Sequence, residues 1–157
     1  MHYIFFTMEF SRKSIRLKKH DYSSSGLYFL TICTYRKECL FGEILNGKLA
    51  LNPAGNEASQ IWKAIPEYFS QVILDEFIVM PNHVHGVIEI LAGAGRSETV
   101  GAIVRGFKIG VTKWLRKNTD IFRVWQRNYY EHIIRSPQEL IRIQNYIKIN
   151  PSRWHAS

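Results

Sequence analysis

Apolar positions along the chain follow two different periods. Leu27-Tyr28-Phe29-Leu30-Thr31-Ile32-Cys33-Thr34 is apolar on both faces, as expected of a central strand covered on two sides. Phe41 to Leu51 is broken in its middle by Asn46-Gly47, the strongest short hairpin signal. Asn52-Pro53 then supplies a helix cap and first residue, after which Ala54, Ala58, Ile61, Trp62 and Ile65 recur at helical spacing until Pro66 interrupts. Two runs rich in Ile and Val, Val72 to Met80 and His83 to Ile90, meet at Pro81-Asn82, which reads as two antiparallel strands joined at a tight corner. From Thr99 a long helix is written by the stripe Val100, Ile103, Val104, Phe107, Val111, Trp114 and Leu115. Arg127 to Arg135 predicts another strand. The last helix begins after Ser136-Pro137 and stops at Asn150, because Pro151 follows.

Side by side these elements run strand, helix, strand, strand, helix, strand, with a hairpin added early and a helix added late. That order predicts an α+β chain of the ferredoxin-like (βαββαβ) type, an antiparallel sheet with its two connecting helices on one face. The first and third core strands are then central, and the other face is open for substrate. Residues 21–157 suit a single domain preceded by a basic arm over residues 1–20. Met8 offers a second start that would leave residues 1–7 outside the protein.

Composition narrows the class. A chain of 157 residues with 46% hydrophobic and 13% aromatic residues argues for one packed core against disorder, and no apolar run reaches the length of a membrane span. Cys33 and Cys39 stand in no zinc-like spacing, so free thiols in a reducing compartment are expected. The formal charge of +8 is uneven: residues 101–127 carry 7 Lys and Arg against 1 acidic residue, and residues 1–20 carry 5 against 1. A basic stripe without an amphipathic anchor points to nucleic acid rather than membrane, unless it is merely a solvated face. Arg12, Lys13 and Arg16 in the arm, Arg105, Lys108 and Lys113 on the long helix, and Arg127 are the candidates to bind phosphates. Tyr129 and Tyr130 are candidates to stack on unpaired bases.

Candidate chemistry centres on His83 and His85. Two apart on a strand, they project from one face with α-carbons about 6.7 Å apart, a two-imidazole pincer for a cation, while Val84, Gly86, Ile88 and Ile90 face a core. Packing at a strand end is the competing reading. On the last helix Leu140, Ile143 and Ile147 form a docking stripe, and Tyr146 and Asn150, four apart, share the flank beside it. A single helix can thus present a phenol and an amide together. Taken alone, Tyr146 is more often a half-buried core aromatic and Asn150 a C-terminal cap.

Met-Pro-Asn-His-Val-His-Gly at 80–86, Trp125 to Arg135 and Tyr146-Ile147-Lys148-Ile149-Asn150-Pro151 together resemble the single-tyrosine transposases of the HUH endonuclease group. The likeness is strongest to the branch associated with repetitive extragenic palindromes (REP) of bacterial genomes, and it runs from about Arg12 to Trp154. It implies that Tyr146 is the nucleophile, that Asn150 completes a metal site with His83 and His85, and that the cofactor is Mg2+ or Mn2+, although imidazoles alone would favour zinc. It implies cleavage of one strand of hairpin-bearing, single-stranded DNA through a 5′-phosphotyrosine, in a cytoplasmic, nucleoid-associated enzyme. A monomer is expected, as in the palindrome-associated branch, rather than the helix-swapped dimer of mobile-element relatives. His132, near Tyr129 and Tyr130, is a candidate to support the metal ligands. The alternative is a protein on the same fold that binds hairpin DNA or RNA without cutting it.

Overall fold

A computed structural model of the protein describes residues 25–155. The basic arm with Arg12, Lys13 and Arg16 lies outside the described residues. The order of elements is β1 (Gly26–Cys33), the hairpin β2 (Gly42–Leu45) and β3 (Lys48–Leu51), α1 (Pro53–Lys63), a one-turn α2 (Ile65–Tyr68), β4 (Val72–Met80), β5 (His83–Ile90), α3 (Val100–Asn118), β6 (Tyr130–Ile134) and α4 (Pro137–Ile149). The main sheet has the order β4-β5-β1-β6, antiparallel at every junction, which is the ferredoxin-like arrangement with β1 and β5 central.

Local chemistry explains the boundaries. Asn52, Thr99 and Ser136 each accept a hydrogen bond from the backbone N–H three residues on, closing the first turns of α1, α3 and α4. Asn46 and Gly47 both take positive φ, 52° and 74°, so the two-residue hairpin turn matches the twist of its strands. Pro66 does not end the helical segment: the chain pauses at Ala64 and adds α2 with the proline in its first turn, where the missing N–H costs nothing.

Two predicted features differ. The last strand is shorter than Arg127 to Arg135, because Asn128 takes a φ of 74° and the carbonyls of Gln126 and Asn128 accept hydrogen bonds from the Lys108 ammonium instead of sheet neighbours. The sheet face expected to be open is covered by α4, whose Ile143 and Ile147 are buried against Phe29, Val87 and Ile134.

The larger core lies on the opposite face, where α1 and α3 cover Tyr28, Leu30, Ile32, Val84, Ile88 and Ile90. Trp62 is its centre, fully buried, with Phe107 edge-on at 5.2 Å and Phe77 at 5.9 Å between ring centroids. Gly86, in the middle of β5, lets this indole lie against the sheet: a Cβ there would sit 2.2 Å from Trp62 Cζ2. A buried indole hemmed in by two rings cannot swing aside as a surface side chain would. Gly86→Ala is therefore expected to lower stability by about 1–3 kcal/mol, read as a lower urea midpoint. An unchanged midpoint would mean the core yields at that point.

Candidate active site

Side-chain alternation decides what meets α4. In the pairing of β1 with β5, Thr31 lies opposite His85 and Cys33 opposite His83, and on the other side of β1 Thr31 lies opposite Tyr130. Phe29, Thr31, His83, His85 and Tyr130 consequently share the face under the last helix. The two imidazoles have centroids 4.4 Å apart, and the ring of Tyr146 on α4 comes within 5.3 Å of His85. Phe29 lies beneath, 5.4 Å from His85 and 6.5 Å from Tyr146.

Asn150 stands where α4 tightens into the 3-10 turn Asn150–Arg153, so Pro151 narrows the helix rather than stopping the chain's coiling. Asn150, only 8% exposed, lies close enough to both His83 and Tyr146 to influence the protonation of each. Trp154, just after this turn, stacks over His83 at 6.4 Å. The four residues His83, His85, Tyr146 and Asn150 thus meet within one chain.

Both imidazoles are held at Nδ1. His85 Nδ1 is 2.8 Å from Thr31 Oγ1, and His83 Nδ1 is 2.7 Å from Asn82 Oδ1. The Asn82 amide has its orientation fixed, since its Nδ2 donates to the Lys37 carbonyl at 3.3 Å. Its oxygen therefore faces His83 and accepts from Nδ1–H, which leaves a lone pair on Nε2. Metal-bound histidines are ordinarily steadied in this way through the other ring nitrogen. Thr31 and Asn82 carried no chemical signal in the sequence beyond a polar residue within an apolar strand and a turn residue.

A divalent cation fits this donor set. Two imidazoles and an amide oxygen are neutral and can leave coordination positions open for phosphate oxygens. Among the described residues no group of three His, Cys, Asp or Glu side chains comes together as a metal site. Burial keeps both imidazoles neutral: it pushes His83 down to about 4, with Asn150 opposing and the charge of Lys37 assisting, and it holds His85 well below the usual range, with His83 assisting. Burial likewise raises the Tyr146 phenol above its ordinary 10, against a lowering contribution from Asn150. At neutral pH the phenol is protonated.

The remaining candidates fall elsewhere. His132 pairs with Glu139 in the first turn of α4, tying that helix to β6. Tyr130 packs edge-on to Phe29 at 6.2 Å, and burial with the charge of Glu139 raises its phenol further above 10. Tyr129 packs at the edge of the larger core beneath the Lys108 ammonium. Lys108 points inward, its ammonium bonded to the carbonyls of Gln126 and Asn128 at 3.0 and 2.8 Å and brought down to about 8 by burial. Arg105, Lys113 and Arg127 are exposed. Helix α3, which carries the first two, is separated from the imidazole pair by the sheet.

A pH dependence follows. The two imidazoles bind protons more weakly folded than unfolded, so their contribution to stability is complete above about pH 6.5 and declines as the pH falls toward 4. Urea unfolding of the metal-free chain between pH 7 and pH 5 should show this fall, and His85→Gln should flatten it. An equally steep fall in the variant would remove His85 from the account.

Residues 22–150 match the family model described as transposase IS200 like. A Haemophilus influenzae protein described only as uncharacterized is 51% identical over 161 residues, spanning 91% of this chain and 89% of its own. A second protein of that organism, assigned as a REP-associated tyrosine transposase, is 24% identical over 143 residues, spanning 85% and 74%. Among solved structures, a REP-associated tyrosine transposase bound to a REP hairpin superposes with a TM-score of 0.66 at 19% identity, covering 87% of this chain and 73% of that one. A transposase assignment from Deinococcus radiodurans gives 0.53 at 17% identity, covering 90% and 100%. Both share the fold. No helix among the described residues is long and apolar enough to cross a membrane. The family model spans most of the sequence and one relative is identical at half its positions, so the chain belongs to the IS200-like transposase family.

Proposed function

We propose that this transposase nicks and rejoins one strand of hairpin-bearing DNA with Tyr146 as nucleophile, and that His83, His85 and Asn150 hold its Mg2+ or Mn2+. The reading rests above all on the meeting of the Tyr146 ring with the imidazole pair, 5.3 Å from His85, which is itself 4.4 Å from His83, with the buried Asn150 beside them. A half-buried tyrosine that served only to pack would need no neutral two-histidine cluster beside it.

In the step itself the Tyr146 oxygen forms a bond to phosphorus and the bond from phosphorus to the 3′-oxygen breaks, leaving a 5′-phosphotyrosine and a free 3′-hydroxyl. The phenol loses its proton on the way, and attack by a 3′-hydroxyl reverses the chemistry. A bound divalent cation would withdraw charge from the scissile phosphate and favour the crowded transition state. Phe29 packs edge-on against Tyr146 and Trp154 stacks over His83, which limits how the two rings can move and favours a preset arrangement of nucleophile and ligand. Asn150 lowers the cost of ionising the phenol. Because all four residues come from one chain, a monomer suffices and no exchange of α4 between copies is required. The hairpin bound to the structurally similar REP transposase favours a hairpin as the substrate here also.

The test is an adduct that survives denaturing electrophoresis, formed between the protein and a labelled hairpin oligonucleotide with single-stranded flanks. Adduct is expected with Mg2+ or Mn2+ and not with chelator. Tyr146→Phe should abolish it, and His83→Ala should slow its formation on the order of a hundredfold or more. Adduct formed by Tyr146→Phe would overturn the nucleophile assignment. Tight hairpin binding with no adduct in the wild type would favour the non-catalytic alternative.

A further inference from the structure

The end of the sheet that carries His83 is bordered by a turn that supplies none of the catalytic groups. After β1 the chain makes the 3-10 turn Tyr35–Lys37, in which Arg36 and Lys37 both take a φ of 54°. Consecutive left-handed residues bearing side chains are unfavourable, and they persist only where surrounding bonds impose them. Those bonds are present. Tyr35 N–H donates to the Val124 carbonyl at 2.9 Å, Thr34 Oγ1 donates to the Glu38 carbonyl at 2.7 Å, and the Lys37 carbonyl accepts from the same Asn82 amide that orients His83.

The strained turn fixes an exposed basic group. The Arg36 guanidinium lies 5.1 Å from the Tyr35 ring centroid and the Arg123 guanidinium 5.4 Å from it, and Arg123 Nη1 donates to Tyr35 Oη at 3.1 Å. One phenol ring therefore acts as a spine for two cations that would otherwise repel each other. Among the described residues neither guanidinium, nor the Lys37 ammonium, pairs with a carboxylate. The group is close to the site: the charge of Lys37 bears on His83, and Thr34 and Lys37 are both bonded to Asn82, the residue before it. By contrast the exposed cations of α3 lie across the sheet from the imidazoles.

We propose that Tyr35, Arg36, Lys37 and Arg123 form a phosphate clamp for the unpaired DNA strand next to the cleaved bond. The inference rests on the DNA-cleaving reading above and adds to it the surface that holds the flanking strand. The imidazoles and Asn150 bring no positive charge of their own to a strand of phosphates; the clamp supplies it a few residues away, on a backbone too constrained to collapse onto the site. Exposed planar guanidinium forks beside a ring keep N–H groups free for phosphate oxygens, since the bond from Arg123 Nη1 to Tyr35 Oη takes up a single donor.

Two fluorescent probes, used in the presence of chelator, test it with the full chain: a hairpin oligonucleotide with single-stranded flanks and the same hairpin with blunt ends. Arg36→Gln combined with Arg123→Gln should weaken binding of the flanked probe on the order of tenfold and reduce the slope of log K against log salt by roughly 0.7 for each phosphate that is no longer neutralised. Binding of the blunt probe should change little. Lys63→Gln, which removes an exposed charge on α1, should leave both probes unaffected. Tyr35→Leu, which keeps every charge but removes the spine, should weaken flanked-probe binding with a smaller change in salt slope. Melting temperatures close to the wild type would show that the variants are folded, and a variant that melts early is replaced by the single Arg123→Gln form. Equal affinity and slope in the double variant, while the wild type still makes its tyrosine adduct, would overturn the clamp alone. A wild type that neither binds the flanked probe nor forms adduct would overturn both readings.

Discussion

The antiparallel register between β1 and β5 is the constraint on which everything else depends. Successive side chains of a strand alternate between faces, so pairing Thr31 with His85 and Leu30 with Gly86 sends the imidazoles to the α4 side and the glycine to the Trp62 side. A slip of one residue would put two histidines into the larger core and leave Val84 and Ile88 under the last helix. The large apolar residues on the α1 and α3 side hold the register, because they have nowhere else to be buried. The packing that makes the domain stable is thus also what aims its chemistry.

Charge is distributed against the usual expectation for the phosphate-handling site proposed above. The imidazoles gathered under α4 are neutral by burial, and hydrogen bonds with Thr31 and Asn82 fix their directions without adding charge. Neutral donors with fixed lone pairs suit a cation that arrives together with its anionic substrate, since neither is strongly held without the other. Permanent positive charge is instead kept on exposed arginines at the edge of the site, where solvation makes it inexpensive.

Much of this was legible in the chain because the informative residues obey local rules. The period of two in β5 assigned His83 and His85 to one face, Asn46-Gly47 and the caps at Asn52 and Ser136 marked their turns and helix starts, and the element order gave the sheet. What could not be read depends on the meeting of distant segments. Lys108 reads as one more cation on a charged helix face until the loop at Gln126 and Asn128 folds over it. The basic face of the long helix reads as a DNA-facing surface until the sheet is seen to lie between it and the histidine pair. Tyr35 and Arg123 are 88 residues apart, and neither carries a local mark of the pairing. The place where α4 docks was legible only through the resemblance that joined Tyr146 and Asn150 to the histidine pair, since an amphipathic stripe says that a helix docks and not where.

The docking of α4 has one further effect. Its attachment rests on a small second core, where Ile143 and Ile147 are the helix's own buried residues, supplemented by polar ties from Gln144 to Asp75 and from Glu139 to His132. The sheet and the α1–α3 layer keep their large core whether or not this helix is seated. Detachment of α4 is consequently a cheaper opening than melting the sheet. Heating would unseat the phenol before the sheet melts, and during folding the same pocket would be the last part to assemble.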